Sequence, residues 1–265
     1  MTRMAFIGAG KMCEAILRSL IRSGYLKPED VILSDISSER LSELSERYKV
    51  PVVSANRAAV EQADVIILSI KPQSHPEVLG EIGDTLREDQ VLISIAVGKS
   101  TESIEHFLTK PVPVVRVMPN TPAMVSASLS SISYGKHVTE PVREMVKEIF
   151  SDLGEIIEID EKLQDEVAAI SGCGPAYFYL MVESLIDAGV RIGLARPVAK
   201  KIAVETMIGS GFMMRETEMH TAELRDMVTS PGGTTIAAIE ALEENGFRAA
   251  IFRAVHAAVR RAKEL

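Results

Sequence analysis

Tryptophan is absent from the 265 residues, and cysteine occurs twice, at Cys13 and Cys173. Two such distant thiols argue against a disulfide framework or a cysteine zinc site and suit a reducing cytoplasm. No apolar run approaches the roughly 20 residues that span a bilayer. Met1-Thr-Arg3 leads straight into a strand-like run without a charged-then-apolar leader, so a soluble, cytoplasmic protein is expected. The five histidines (His75, His106, His137, His220, His256) share no metal-ligand spacing and no pattern with a nucleophile, so no metal is expected. Positive charge is also short: 29 Lys and Arg against 37 Asp and Glu leave −8. That balance argues against nucleic acid or an anionic membrane as the main partner.

What is present is the material of a globular enzyme. With 46% hydrophobic and 25% charged residues the chain can bury a core, and its length suits one large domain or two modest ones. Met4-Ala-Phe-Ile7 runs into Gly8-Ala-Gly10-Lys11-Met12-Cys13 and then an amphipathic stretch. Strand, glycine turn and helix in that order open a dinucleotide-binding unit. Gly8 permits the tight turn, Gly10 lets the backbone approach a pyrophosphate, and Cys13 is the small residue in place of the third glycine. A second strand, Val31-Ile-Leu-Ser34, ends in Asp35. A carboxylate there accepts hydrogen bonds from the adenosine ribose and repels a 2′-phosphate, favouring NADH, while Ser34, Ser37 and Arg40 keep NADPH open. A helix-capping role for Asp35 is the rival reading.

Further β-branched runs follow: 63–70 ending in Lys71-Pro72, 91–98 containing Ala96 and Val97, and 112–117 before Met118-Pro-Asn120-Thr121. Near-continuous apolar runs predict strands buried on both faces of a doubly wound parallel sheet, with ligands at the strands' carboxyl ends. After Ile156-Ile-Glu-Ile159 the texture becomes helical, which places a boundary near Asp160: residues 1–159 form a Rossmann domain and 160–265 an all-helical one. Leu163, Val167, Ile170, Leu180, Val182, Leu185 and Ile186 are spaced to line one long helix, interrupted by Gly172-Cys-Gly-Pro175. Gly189, Gly193, Gly209 and Gly211 suggest tightly apposed helices. An apolar helical region of this size struggles to hide its surface alone, so dimerisation is expected.

Near the C-terminus, Ser230-Pro-Gly-Gly233 reads as a turn, and Thr234 and Thr235 stand where they would cap the helix that follows. A glycine turn feeding a helix N-terminus offers unpaired N–H groups to a small anion. An ordinary capped connection is the rival reading.

Leu224-Arg-Asp-Met-Val-Thr-Ser-Pro-Gly-Gly-Thr-Thr-Ile-Ala-Ala-Ile-Glu-Ala-Leu-Glu243 closely resembles the signature of the pyrroline-5-carboxylate reductases. Ala63-Asp-Val-Ile-Ile-Leu-Ser69-Ile-Lys71-Pro72-Gln73, Val114-Val-Arg-Val-Met-Pro-Asn-Thr-Pro-Ala123 and Ser171-Gly-Cys-Gly-Pro-Ala-Tyr177 are similar to further segments of that family, so the likeness covers essentially the whole chain. The resemblance implies reduction of 1-pyrroline-5-carboxylate to L-proline with NADPH or NADH, the last step of proline biosynthesis, in a homodimer whose active site is completed across the interface. It implies a cofactor set of Gly8, Gly10, Lys11, Met12, Asp35, Asn56, Ser69, Lys71, Pro72, Ala96 and Val97. Thr235 and Ser230 are the implied catalytic residues, Thr235 at the ring nitrogen. Gly233 and Thr234 join Ser230 around the carboxylate, with Glu161 and Glu218 as acidic neighbours. Cys173 stands where the family has serine. Two rivals remain: a dehydrogenase of the 3-hydroxyacid type, for which Lys200 and Lys201 sit in no matching motif, and a nucleotide-binding sensor without turnover.

Overall fold

The computed structural model describes residues 2–264. Its first half alternates strands and helices: β1 (Met4–Ile7), α1 (Lys11–Ser23), β2 (Val31–Ser34), α2 (Ser38–Tyr48), β3 (Val52–Val53), α3 (Asn56–Glu61), β4 (Val65–Leu68), α4 (His75–Ile82), β5 (Val91–Ser94), α5 (Thr101–Glu105), β6 (Val114–Met118), β7 (Ser128–Tyr134), α6 (Glu140–Ser151) and β8 (Gly154–Glu158). The eight strands form one sheet in the order β3-β2-β1-β4-β5-β6-β7-β8. This doubly wound, Rossmann-like sheet, followed by helices, is the architecture expected of the sequence.

The pairings are parallel except β6 with β7, which run antiparallel. β7, and β8 beside it, therefore run against the other six strands, a departure from the parallel sheet expected, and the β7 sequence, Ser-Leu-Ser-Ser-Ile-Ser-Tyr, explains why it is hard to read. Ser128, Ser130, Ser131 and Ser133 are buried. Two of the four have long-range partners: Ser131 donates to Gln164 and Ser133 to the Ile159 carbonyl. A buried hydroxyl with a partner carries little penalty, so a polar run can stand inside a sheet.

The central strands β1 and β4 are apolar and buried throughout, and two cores sandwich the sheet. Phe6, Leu33 and Ile67 belong to the one that takes in Ile16 and Leu20 of α1 and Phe150 of α6. Ile7, Ile66 and Leu68 belong to the other, with Val60 of α3 and Leu79 of α4. Each such side chain, fully buried, contributes about 1.5–3 kcal/mol.

Beyond β8 come α7 (Gln164–Val167), a π-helical turn (Ala168–Gly172), α8 (Gly174–Arg191), α9 (Arg196–Thr217), α10 (Thr221–Met227), α11 (Thr234–Glu244) and α12 (Phe247–Ala262). The long helix expected across 163–186 is interrupted around Gly172-Cys-Gly-Pro175, where its glycines suggested a break. The Cys173 N–H reaches back five residues to the Ala168 carbonyl, the wide turn of a π-helix between α7 and α8.

The chain clusters into two compact units, Met1–Cys173 with Ala258–Leu265, and Gly174–Ala257. Residues 160–173, expected with the helical half, cluster with the sheet. In the second unit α8 packs on α9, and a Cβ on Gly189 would lie 2.9 Å from that of Ala199, the tight apposition its position suggested. Gly193 instead serves a turn at φ +103°, and Gly209 and Gly211 face open space. Among the described residues the buried apolar side chains of this unit are Ala199 and Ala203, while Phe178, Leu180, Ile202, Phe212, Leu242 and Phe252 are exposed. No described helix is long and apolar enough to cross a membrane.

Candidate active site

In the sheet unit, β1 ends in a glycine turn whose geometry allows little else. Gly8 takes φ +97°, and a Cβ there would lie 2.6 Å from the Ser69 carbonyl oxygen. Ser69 in turn donates its hydroxyl to the Gly8 carbonyl at 2.6 Å. Gly10 caps α1 without any side-chain hydrogen bond, and nothing lies within 4 Å of where its Cβ would be. The first N–H groups of α1 thus meet open space at the positive end of the helix dipole, as a pyrophosphate requires. Cys13 is buried, and burial pushes its thiol up to about 12, so it is a packing residue in the third-glycine position.

A cavity of about 580 Å³ opens on this turn. Gly10, Lys11 and Met12 line it, with Ser69 and Lys71 after β4, Val97 after β5 and Met118–Thr121 after β6. Its far wall is built by Asp165, Ala168, Ala169, Gly172, Cys173, Arg261 and Ala262. Asn120 joins the two sides: its amide nitrogen donates to the Ser171 carbonyl at 3.2 Å, and its oxygen accepts from the Leu129 N–H. Open space at Gly10, an uncapped helix and a cavity running along the strands' carboxyl ends fit a bound dinucleotide.

The second unit holds the Ser230–Gly233 turn. Gly233 N–H donates to the Ser230 carbonyl at 3.0 Å, and Gly232 sits at φ +67°. Gly233 is itself the N-cap of α11, and no side chain caps that helix. The expected capping by Thr234 and Thr235 is therefore corrected: both lie inside the first turn, where a hydroxyl cannot accept from the N–H groups ahead of it. The result is a helix N-terminus with free donors and two hydroxyls at its mouth. His220 caps α10, its Nδ1 accepting from the Ala222 N–H at 3.1 Å.

Comparison with known proteins gives the chain a family. The family described as pyrroline-5-carboxylate reductase dimerisation matches residues 161–265, and that described as NADP oxidoreductase, coenzyme F420-dependent, matches residues 3–98. The pyrroline-5-carboxylate reductase of Corynebacterium melassecola is 42% identical across 100% of this chain and 99% of its own. That of Arabidopsis thaliana is 39% identical over 99% and 95%. The crystal structure of Plasmodium falciparum pyrroline carboxylate reductase with NADP bound superposes with a TM-score of 0.92, at 33% identity over 99% of this chain and 97% of that one. The chain belongs to the pyrroline-5-carboxylate reductase family.

Of the cofactor residues that family likeness implied, Gly10, Lys11, Met12, Ser69, Lys71 and Val97 meet at the cavity. Ala96 is buried next to Val97 in the chain, and Pro72 opens a short turn ahead of α4. Asp35 and Asn56 stand outside the cavity walls. Asp35 accepts from the Ala9 N–H at 2.6 Å and from the Ser37 N–H at 2.8 Å, tying β2 to the glycine turn. Asn56 accepts from the Ser34 hydroxyl and donates to Glu81.

Glu161 lies in the sheet unit, its carboxylate accepting from the N–H and the hydroxyl of Thr101, both at 2.7 Å. Glu218 ends α9 in the left-handed region at φ 52°, exposed. The feature that sequence reasoning missed is Arg116. It is buried on β6, with Nη2 2.6 Å from Asp165 on the cavity wall and Nη1 3.9 Å from Glu161. A lone arginine inside Val-Val-Arg-Val was its signal.

Proposed function

We propose that the chain reduces 1-pyrroline-5-carboxylate to L-proline, as its family name states, with reduced NAD(P) held at the Gly8–Gly10 turn. Bound NAD(P)H supplies the hydride, which adds to the imine carbon while the ring nitrogen takes a proton. A protonated imine is already a strong electrophile, so orientation matters more than a strong acid. The observation that carries this reading is the uncapped N-terminus of α11, where free N–H groups and two threonine hydroxyls surround a closed Ser-Pro-Gly-Gly turn.

In this reading the N–H groups of α11, with Ser230, Gly233 and Thr234, bind the substrate carboxylate. Thr235 lies one residue further into the helix and hydrogen-bonds the ring nitrogen, holding the proton there. Gly10, Lys11 and Met12 hold the pyrophosphate, and Ser69, Lys71, Pro72, Ala96 and Val97 shape the nicotinamide end. Glu161 and Glu218 are the weaker members of the set, because Thr101 already occupies the former.

Labour is divided in the same proposal: residues 1–159 carry most of the cofactor site, whose far wall comes from 165–173 and 261–262, and the rest of 160–265 binds substrate and pairs with a second copy. The exposed apolar side chains of α8, α9 and α12 support that pairing. A cytoplasmic location belongs to the reading too, supported by two unpaired thiols.

Absorbance of NADH and of NADPH, followed with 1-pyrroline-5-carboxylate, tests the proposal. Wild type should turn over, and Thr235→Ala should lose about 10²-fold or more in kcat, the usual scale for a positioned proton-handling group. Protein that binds a dinucleotide yet shows no turnover with either would refute it.

A further inference from the structure

The end of β2 beside the glycine turn is where a Rossmann unit meets the adenosine ribose. A carboxylate there selects the 2′-hydroxyl, and an arginine nearby accommodates a 2′-phosphate. This chain carries both, Asp35 and Arg40, and the sequence leaves the choice open. The geometry does not.

Arg40 is fully committed. Its Nε donates to the Ala9 carbonyl at 2.9 Å, and its other two nitrogens are paired with Glu43 and Glu14. Glu14 is buried and also receives Arg47 and Tyr48. The Ala9 residue is thereby gripped from both sides, by Asp35 at its N–H and Arg40 at its carbonyl. An arginine that swung out to a phosphate would leave a buried carboxylate short of a partner, a costly exchange. Around the turn, three carboxylates (Asp35, Glu14, Glu43) face two arginines, and Asn56, the neighbouring amide donor, is held by Glu81.

We propose that Glu14 and Glu43 set the cofactor preference of this chain by holding Arg40 neutralised, so that a free 2′-hydroxyl is favoured over a 2′-phosphate. The proposal rests on the reading of the Gly8–Gly10 turn as a dinucleotide site. Glu43 is the lever, being half-exposed and free to change without disturbing the core.

Calorimetric titration with 5′-AMP and with adenosine 2′,5′-bisphosphate, alongside NADH, reads this without turnover. Wild type should bind 5′-AMP at least as tightly as the bisphosphate. Glu43→Gln should shift the ratio toward the bisphosphate by about tenfold, the size of one added charge-assisted hydrogen bond. The double variant Glu43→Gln/Arg40→Met should lose that gain. A ratio unmoved by Glu43→Gln, a wild type that already prefers the bisphosphate, or a gain that survives without Arg40 would each overturn the proposal. If folded wild type binds none of the three, NADH included, the dinucleotide reading itself fails and this inference with it.

Discussion

Arg116 Nη2 lies 2.6 Å from Asp165 Oδ1, joining a buried arginine on β6 to the helical segment that walls the cavity. Arg116 is almost wholly buried, and its Nε has no hydrogen-bond partner, so Asp165 is the chief compensation for its charge. Removing one partner of a buried pair strands the other, at about 3–5 kcal/mol. Asp165 is partly exposed and Glu161 stands 3.9 Å from Arg116, which softens the loss. Asp165→Ala should therefore destabilise the protein by about 2–3 kcal/mol. It should also weaken NADH binding, since Asp165 is part of the wall. Urea denaturation and an NADH titration on the same preparation check both; an unchanged midpoint would show that the pair contributes nothing.

Gly8 and Gly10 are two residues apart and should respond oppositely to alanine. At Gly8 a methyl meets a backbone carbonyl 2.6 Å away and φ is +97°, so the turn must break to accept it. Gly8→Ala should cost about 3 kcal/mol or more. At Gly10 nothing lies within 4 Å and the backbone is extended, so Gly10→Ala should melt close to wild type. Its methyl would project into the space assigned to the pyrophosphate, and the Kd for NADH should rise at least tenfold. Thermal melts with NADH titrations separate the two behaviours, and equal stability losses would contradict the contrast.

Gly189 offers the same kind of test in the helical unit. A Cβ there would sit 2.9 Å from the Ala199 Cβ, against a short side chain that cannot swing away. Gly189→Ala gains helix propensity, worth about 1 kcal/mol, yet overpacks the contact at about 1–3 kcal/mol. The net change should be destabilising, and Gly189→Ala with Ala199→Gly should recover stability. Denaturation midpoints of both variants decide it.

Much of this was legible because the responsible residues act locally. Gly8, Gly10 and the apolar strands declare themselves through backbone freedom and hydrophobic runs, which depend on near neighbours. The Ser230–Gly233 turn was legible for the same reason. What escaped depends on partners far along the chain. The serines of β7 carry no apolar run to announce a strand, and two of them are satisfied by Gln164 and Ile159, far along the chain. Glu161 looks free until Thr101, 60 residues away, occupies it. Which residue caps α11 turned on a single backbone conformation, extended at Gly233, that two threonines obscured.

His75 predicts an acid-sensitive fold. It begins α4, is buried, and has no hydrogen-bond partner at either ring nitrogen. Burial, with the Lys99 charge, pushes its pKa down from 6.5 to about 4. The unfolded chain therefore takes up a proton near pH 6.5 that the folded protein resists until about pH 4. Its contribution to stability is complete above pH 6.5 and is lost as pH falls through that window, by up to about 3 kcal/mol. His75→Met removes the titration and two unpaired polar atoms while keeping much of the volume. The variant should match or exceed wild type at pH 7.5 and exceed it clearly at pH 5, where about half the effect is already expressed. Urea midpoints at the two values test this; a stability difference independent of pH would show that His75 does not drive the acid limb.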